Sequence, residues 1–191
     1  MNSNHHLDLL RAAHFAARKH CDQRRKGEEA SPYINHPIAV AETLARVGQI
    51  DDLPVLQAAL LHDTVEDTDT TESELIEHFG EEVASLVLEV TDNKSLEKYE
   101  RKQHQVDHAP FLTPRAKALK MADKINNISD IMRAPPAGWD VQRRAEYLDW
   151  AERVVSGCRD ANAHLARAFD EALAEARSNI VDLNNYSNSR P

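Results

Sequence analysis

With 191 residues, the chain is long enough for one sizeable domain and short for two. A formal net charge of −9 is opposite to the basic excess of a nucleic-acid binder, so an anionic ligand must be held by a local basic patch or a metal. Hydrophobic residues make up 41%, aromatics only 5%, and there are 5 glycines; this disfavours a strand-rich sandwich with many tight turns and predicts an all-α fold in a single domain.

In chain order, Leu9, Leu10, Ala13, Ala16 and Ala17 recur at helical spacing, predicting a helix over Leu7 to Cys21. Asp22 to Pro32 is polar, carries Gly27, and reads as a loop with a basic run, Arg24-Arg25-Lys26. Pro37 suits the first turn of a second helix, which ends near Gly48. Pro54 opens a third, running through Leu56, Ala59, Leu60 and Leu61 into His-Asp-Thr-Val-Glu-Asp. Thr71 and Glu74 form a capping box for a helix ending at Gly80. Val83, Leu86, Val87 and Val90 mark another amphipathic helix.

Lys94 to His108 is so heavily charged that it is expected to be a solvated helix or a partly mobile segment. Pro114 opens a helix through Asp123, and Pro135, Pro136 and Gly138 break the chain. Two helices follow, over Val141 to Ser156 and Asp160 to Arg177. The domain is expected to span residues 1–180, with a polar, disordered tail over 181–191. Cys21 and Cys158 lack CxxC spacing and are expected to be reduced, which suits the cytoplasm. Met1 to His6 is polar rather than basic-then-apolar, and Val55 to Leu61 is too short to span a bilayer, so no membrane partner is expected.

The chemistry concentrates at His62, Asp63, Glu66 and Asp67. His62 and Glu66 are four apart, as are Asp63 and Asp67, so a continuing helix would project all four from one face. Carboxylates at the end of an apolar helix are costly to bury without a cation, which suggests a metal site. A helix C-terminus meeting a solvated acidic loop explains the spacing equally well. His36, just before Pro37, and Asp123, in an otherwise apolar stretch, are the candidate additional ligands. Alone, a histidine is more often structural and a helical aspartate usually faces water. Together, two imidazoles and two carboxylates suit Mn²⁺, Fe²⁺, Co²⁺ or Zn²⁺.

The ordered set His36, His62-Asp63, Asp123 resembles the HD phosphohydrolase superfamily. The segments QRRK, PYINHP, LQAALLHDTVEDTDTT, EVTDNKSLEKYERK, MADKINN and GWDVQRRAEY resemble the hydrolase domain of the RelA/SpoT family, in particular its small hydrolase-only branch of the metazoan SpoT homologue type. The likeness runs from near Leu9 to near Leu173. It implies His36, His62, Asp63 and Asp123 as metal ligands, with Mn²⁺ the family's usual ion. It implies Glu66 and Asp67 as the pair that orients and activates water and assists proton transfer. Arg25 and Lys26 would contact phosphate, Asn127 and Tyr147 would line the nucleotide site, and Lys98 and Arg143 match further phosphate-contacting positions. Tyr147 would serve equally as core, and Trp139 as pocket wall or core cap.

The implied activity is (p)ppGpp plus water to GDP or GTP plus pyrophosphate. Removal of the 2′-phosphate of NADPH by the same residues is the alternative, and a non-catalytic nucleotide-binding regulator is the third reading. Asn126 stands where relatives carry an aromatic residue or histidine, and Ile128-Ser129-Asp130 replaces an arginine-containing continuation. The first departure is expected to alter the nucleobase side of the pocket; the second sets the chain apart from the long family members.

Overall fold

The helical spacings become helices throughout the computed structural model, which describes residues 4–27 and 29–188, with side chains as far as residue 181. Among these residues there is no strand, only isolated bridges pairing Arg24 with Pro32 and Gly27 with Pro136. The order is α1 (His5–Lys19), α2 (Asn35–Arg46), α3 (Leu53–Leu61), α4 (Thr64–Asp67), α5 (Glu72–Phe79), α6 (Glu81–Val90), α7 (Lys98–His108), α8 (Pro114–Arg133), α9 (Val141–Ser156) and α10 (Ala163–Asn188). Side-chain oxygens cap several starts: Asn4 accepts from Leu7, Thr71 from Glu74, Thr113 from Ala116 and Asp140 from Arg143.

α3 is the hub. Its apolar residues lie on every face, so it can be stable only when surrounded, and it packs against α1, α2, α6 and α8. Val55, Ala58, Ala59, Leu60 and Leu61 are buried along it. α8, about 30 Å long at 1.5 Å per residue, crosses the same core and is backed by α10 and α9. Phe169, Leu165 and Leu173 on α10 close the far side of the core. α7 buries no residue fully, as its charge content predicts.

Two expectations are corrected. The helix from Pro54 does not run on through Asp67; it stops at Leu61, turns at His62-Asp63, and restarts as the single turn α4. The reason is local competition for carbonyls. His62 Nδ1 lies 2.8 Å from the Ala59 carbonyl and Thr64 Oγ1 donates to that of Leu61 at 2.7 Å. These are carbonyls that a continuing helix would use. The last helix also does not end near Arg177. It continues to Asn188 through much of the segment expected to be a disordered tail; residues 189–191 of that tail lie outside the described residues.

Gly27 sets one close approach that matters for the site. A Cβ there would lie 2.6 Å from the Ala134 carbonyl oxygen, so only glycine lets the basic loop lie against the C-terminal end of α8. The Lys26 carbonyl accepts from Ala137 N at 3.1 Å across the same junction.

Phe169→Ala should lower the free energy of unfolding by about 3–5 kcal/mol, read by urea denaturation, because the ring is fully enclosed. A loss below 1 kcal/mol would mean that α10 is not integral to the core.

Candidate metal and phosphate site

Three helices bring their polar residues to one point. His36 sits in the first turn of α2, His62 just past the end of α3, and Asp123 midway along α8. All three are buried, at 4%, 7% and 9% exposure. One ligand atom from each lies within 4.8 Å of the others. His36 Nε2 is 3.1 Å from Asp123 Oδ1, and His62 Nε2 is 3.8 Å from the same oxygen. Asp63 flanks this triad: its Oδ2 is 3.1 Å from His62 Nε2 and 3.9 Å from His36 Nε2.

The donor set fits a divalent metal. With His62 Nδ1 directed at the Ala59 carbonyl, Nε2 faces the cluster, buried and without a hydrogen-bond partner. A buried polar atom without a partner is rare and calls for an ion or water. Two imidazole nitrogens and two carboxylates are the mixed set that borderline divalent ions take. Without an ion, the cluster neutralises itself. Burial opposes charge on His62, but Asp63 and Asp123 outweigh it and raise the ring's pKa to about 9. Burial likewise opposes charge on Asp123, yet Lys124, His36 and His62 hold it well below the usual carboxylate range.

Glu66 and Asp67, on α4, face the same cavity. Burial, with Asp92 and Asp63 nearby, raises the proton affinity of Glu66, whose Oε2 accepts from Asp92 N at 3.2 Å. Asp67 Oδ1 pairs with Lys94 Nζ at 2.5 Å. Tyr33, buried enough that its hydroxyl pKa is pushed far up, donates to Asp63 Oδ2 at 2.7 Å and lies 3.2 Å from Asp67 Oδ2.

The cavity, about 560 Å³, lies within the roughly 300–1,000 Å³ usual for small-ligand sites. Although the chain is acidic, Arg24, Arg25, Lys26, Lys98, Arg101, Lys102, Lys120, Lys124, Arg133 and Arg143 all line it. Arg25 donates to Asn127 Oδ1 at 2.9 Å and to Asp130 Oδ2 at 2.6 Å, and Asn127 donates to Asp123 Oδ1 at 2.6 Å. Aromatic faces complete the wall. The Arg143 guanidinium lies 4.8 Å from the Trp139 ring, and the Lys102 and Lys124 ammoniums each lie 4.7 Å from the Trp150 ring. Burial pushes the Tyr147 hydroxyl up to about 12.

All twelve residues singled out from the sequence therefore line one cavity: Arg25, Lys26, His36, His62, Asp63, Glu66, Asp67, Lys98, Asp123, Asn127, Arg143 and Tyr147. Trp139 belongs to its wall. Asn126 does not line it; its amide donates to Thr43 Oγ1 at 3.0 Å, tying α8 to α2, and Ile128 is fully buried core. The expectation that Asn126 reshapes the nucleobase side is thus corrected. Of the departing segment, Asp130 alone reaches the cavity, through Arg25. Sequence reasoning missed Tyr33, Asp92, Lys102, Lys120, Lys124 and Trp150. Lys120 and Lys124 carried a signal: charged residues one turn apart in the mostly apolar run from Ala116 to Ile125.

The HD-domain family matches residues 12–149. The chain is 56% identical to the human guanosine-3′,5′-bis(diphosphate) 3′-pyrophosphohydrolase MESH1 over 161 residues, covering 84% of this chain and 90% of the relative. It is 46% identical to the protein of that name from Drosophila melanogaster over 167 residues, covering 87% and 93%. A solved structure described as a metazoan ortholog of SpoT that hydrolyzes ppGpp superposes with a TM-score of 0.85 at 44% identity, covering 88% of this chain and 94% of that one.

A divalent transition metal at 100 times its dissociation constant should stabilise the metal-free chain by about 2.7 kcal/mol, read as a rise in melting temperature. His62→Ala should abolish that rise; an undiminished rise would place the ion elsewhere.

Proposed function

The chain belongs to the HD-domain family, among its MESH1-type guanosine-3′,5′-bis(diphosphate) 3′-pyrophosphohydrolases, and we infer that it hydrolyses ppGpp and pppGpp to GDP and GTP with release of pyrophosphate. The observation that carries this reading is the convergence on one cavity of a buried His36, His62 and Asp123 cluster, a half-buried Asp63 beside it, two further carboxylates and a basic-rich wall.

His36, His62, Asp63 and Asp123 would hold the metal, with Mn²⁺ the ion proposed. When bound, a divalent metal supplies Lewis-acid polarisation of a phosphoryl oxygen and a more acidic water. Water attacks the phosphorus carried on the ribose 3′ oxygen, the P–O bond to that oxygen breaks, and the oxygen leaves with a proton. Glu66 and Asp67 manage the two protons this requires. Glu66 suits the task because burial and the neighbouring carboxylates bring its proton affinity up toward the working pH.

Arg25 and Lys26 bind phosphate oxygens as charge-assisted donors, and Lys98 on α7 and Arg143 on α9 do the same. Asn127 links two functions, accepting from Arg25 while donating to Asp123, so the phosphate clamp and the ligand cluster move as one unit. Tyr147 and Trp139 offer faces for the base or ribose.

Metal-free protein supplied with Mn²⁺ and ppGpp should release pyrophosphate; orthophosphate from NADPH, with no pyrophosphate from ppGpp, would overturn the substrate assignment. Glu66→Gln should keep the metal and lower kcat by roughly 10²–10⁴-fold; undiminished turnover would remove Glu66 from proton transfer. Arg25→Ala should raise KM by about tenfold or more, since a charge-assisted hydrogen bond contributes roughly 1.5–3 kcal/mol.

A further inference from the structure

We propose that Tyr33 is a positioning residue of the hydrolysis, its hydroxyl bridging the carboxylate that completes the metal site and the carboxylate that helps manage the proton. The inference rests on the reading of Asp63 as a ligand and Asp67 as one of the catalytic pair.

The oxygen of Asp63 that accepts from Tyr33 at 2.7 Å is Oδ2, the one that faces His62 and His36. The same hydroxyl lies 3.2 Å from Asp67 Oδ2. It therefore fixes the distance between two groups that reach the cavity from opposite ends of the α4 turn. That turn needs an external brace. It has only four residues, no side-chain cap at its start, and too little length to hold its shape by helix propagation. Catalytic geometry tolerates displacements of only about half an ångström.

Tyr33 is itself well fixed. Its ring stacks on His20 at 4.8 Å and 30°, and its backbone N–H donates to the Gln23 carbonyl at 3.1 Å. The Arg25 guanidinium lies 5.6 Å from the ring centroid. His20 is almost fully buried, and its Nδ1 lies 2.5 Å from Gln23 Oε1. The amide nitrogen of Gln23 donates at 2.5 Å to the backbone carbonyl of Asp67. Asp67 is thus held twice from the same loop, by its carboxylate through Tyr33 and by its backbone through Gln23. Packing on His20 and Arg25 would be served equally by phenylalanine. The hydroxyl is the feature that only the two carboxylates use.

Outer-shell partners of a metal ligand, when removed, typically weaken metal affinity or activity by about 10–100-fold. Tyr33→Phe in the full chain keeps the ring and deletes only the bridge. It should weaken Mn²⁺ binding about tenfold, read from the electron paramagnetic resonance of free Mn²⁺. It should also lower kcat at saturating Mn²⁺ by roughly 10–100-fold, with KM for ppGpp changed less than about twofold and the metal-free melting temperature unchanged. If Tyr33 acts through Asp67, Tyr33→Phe combined with Asp67→Asn should have the kcat of Asp67→Asn alone.

Unchanged Mn²⁺ affinity and kcat in Tyr33→Phe would overturn the proposal, as would effects on kcat that multiply in the double variant, or a loss confined to KM. Weaker Mn²⁺ binding by Tyr33→Phe would stand even if ppGpp proved not to be the substrate, so the two readings fail separately.

Discussion

Everything at the site depends on burying opposite charges together where α2, α3 and α8 meet. His36, His62 and Asp123 are each less than a tenth exposed, and Asp63 presses on both imidazoles. Desolvating such groups is expensive, and buried ion pairs seldom repay it as stability. A fold that needed only stability would fill the space with apolar side chains. The arrangement makes sense as a site kept ready for a cation, with Lys124 standing on the second oxygen of Asp123 at 2.8 Å. The surrounding apolar helices supply the rigidity. α3 is locked on all sides and delivers His62 from its end, while the long α8 holds Asp123, Lys124 and Asn127 within about one turn of each other.

From that centre the electrostatics sort outward. Asp63, Glu66, Asp67 and Asp123 cluster around His36 and His62, and cations outnumber Glu29, Asp92, Asp130 and Glu146 along the rest of the cavity. An acidic protein can therefore take a highly charged anion, because the local field is opposite in sign to the global one. Like charges crowd there. Burial, with Lys98, Lys124 and Arg143 close by, lowers the pKa of Lys102, and burial beside Lys124 lowers that of Lys120. Crowding of this kind is unfavourable in isolation and is relieved by a phosphate-rich ligand.

Much of this was legible in the amino-acid order. Val141 to Ser156 was readable to its ends because Asp140 caps one and Gly157 follows the other. Thr71 and Gly80 bounded α5 for the same kind of reason. The break at His62-Asp63 was not legible, since it arises from side chains of His62 and Thr64 taking helix carbonyls, a competition that spacing rules ignore. The orientation of Asn126 was equally hidden. It neighbours Asn127 in sequence, but a helix turns about 100° per residue, so one reaches the cavity and the other turns to α2. Tyr33 escaped attention because its role is a pair of contacts to residues about thirty positions away, and no local pattern announces such a bridge.

The central claim is that His36, His62, Asp63 and Asp123 hold one divalent ion against which the phosphate is placed. Anomalous diffraction from crystals of the full chain loaded with Mn²⁺ tests it most directly. The account predicts a single peak bonded to both imidazole Nε2 atoms and to an oxygen of each aspartate. A crystal with no peak there, or with the only peak among the other carboxylates of the cavity, would contradict it.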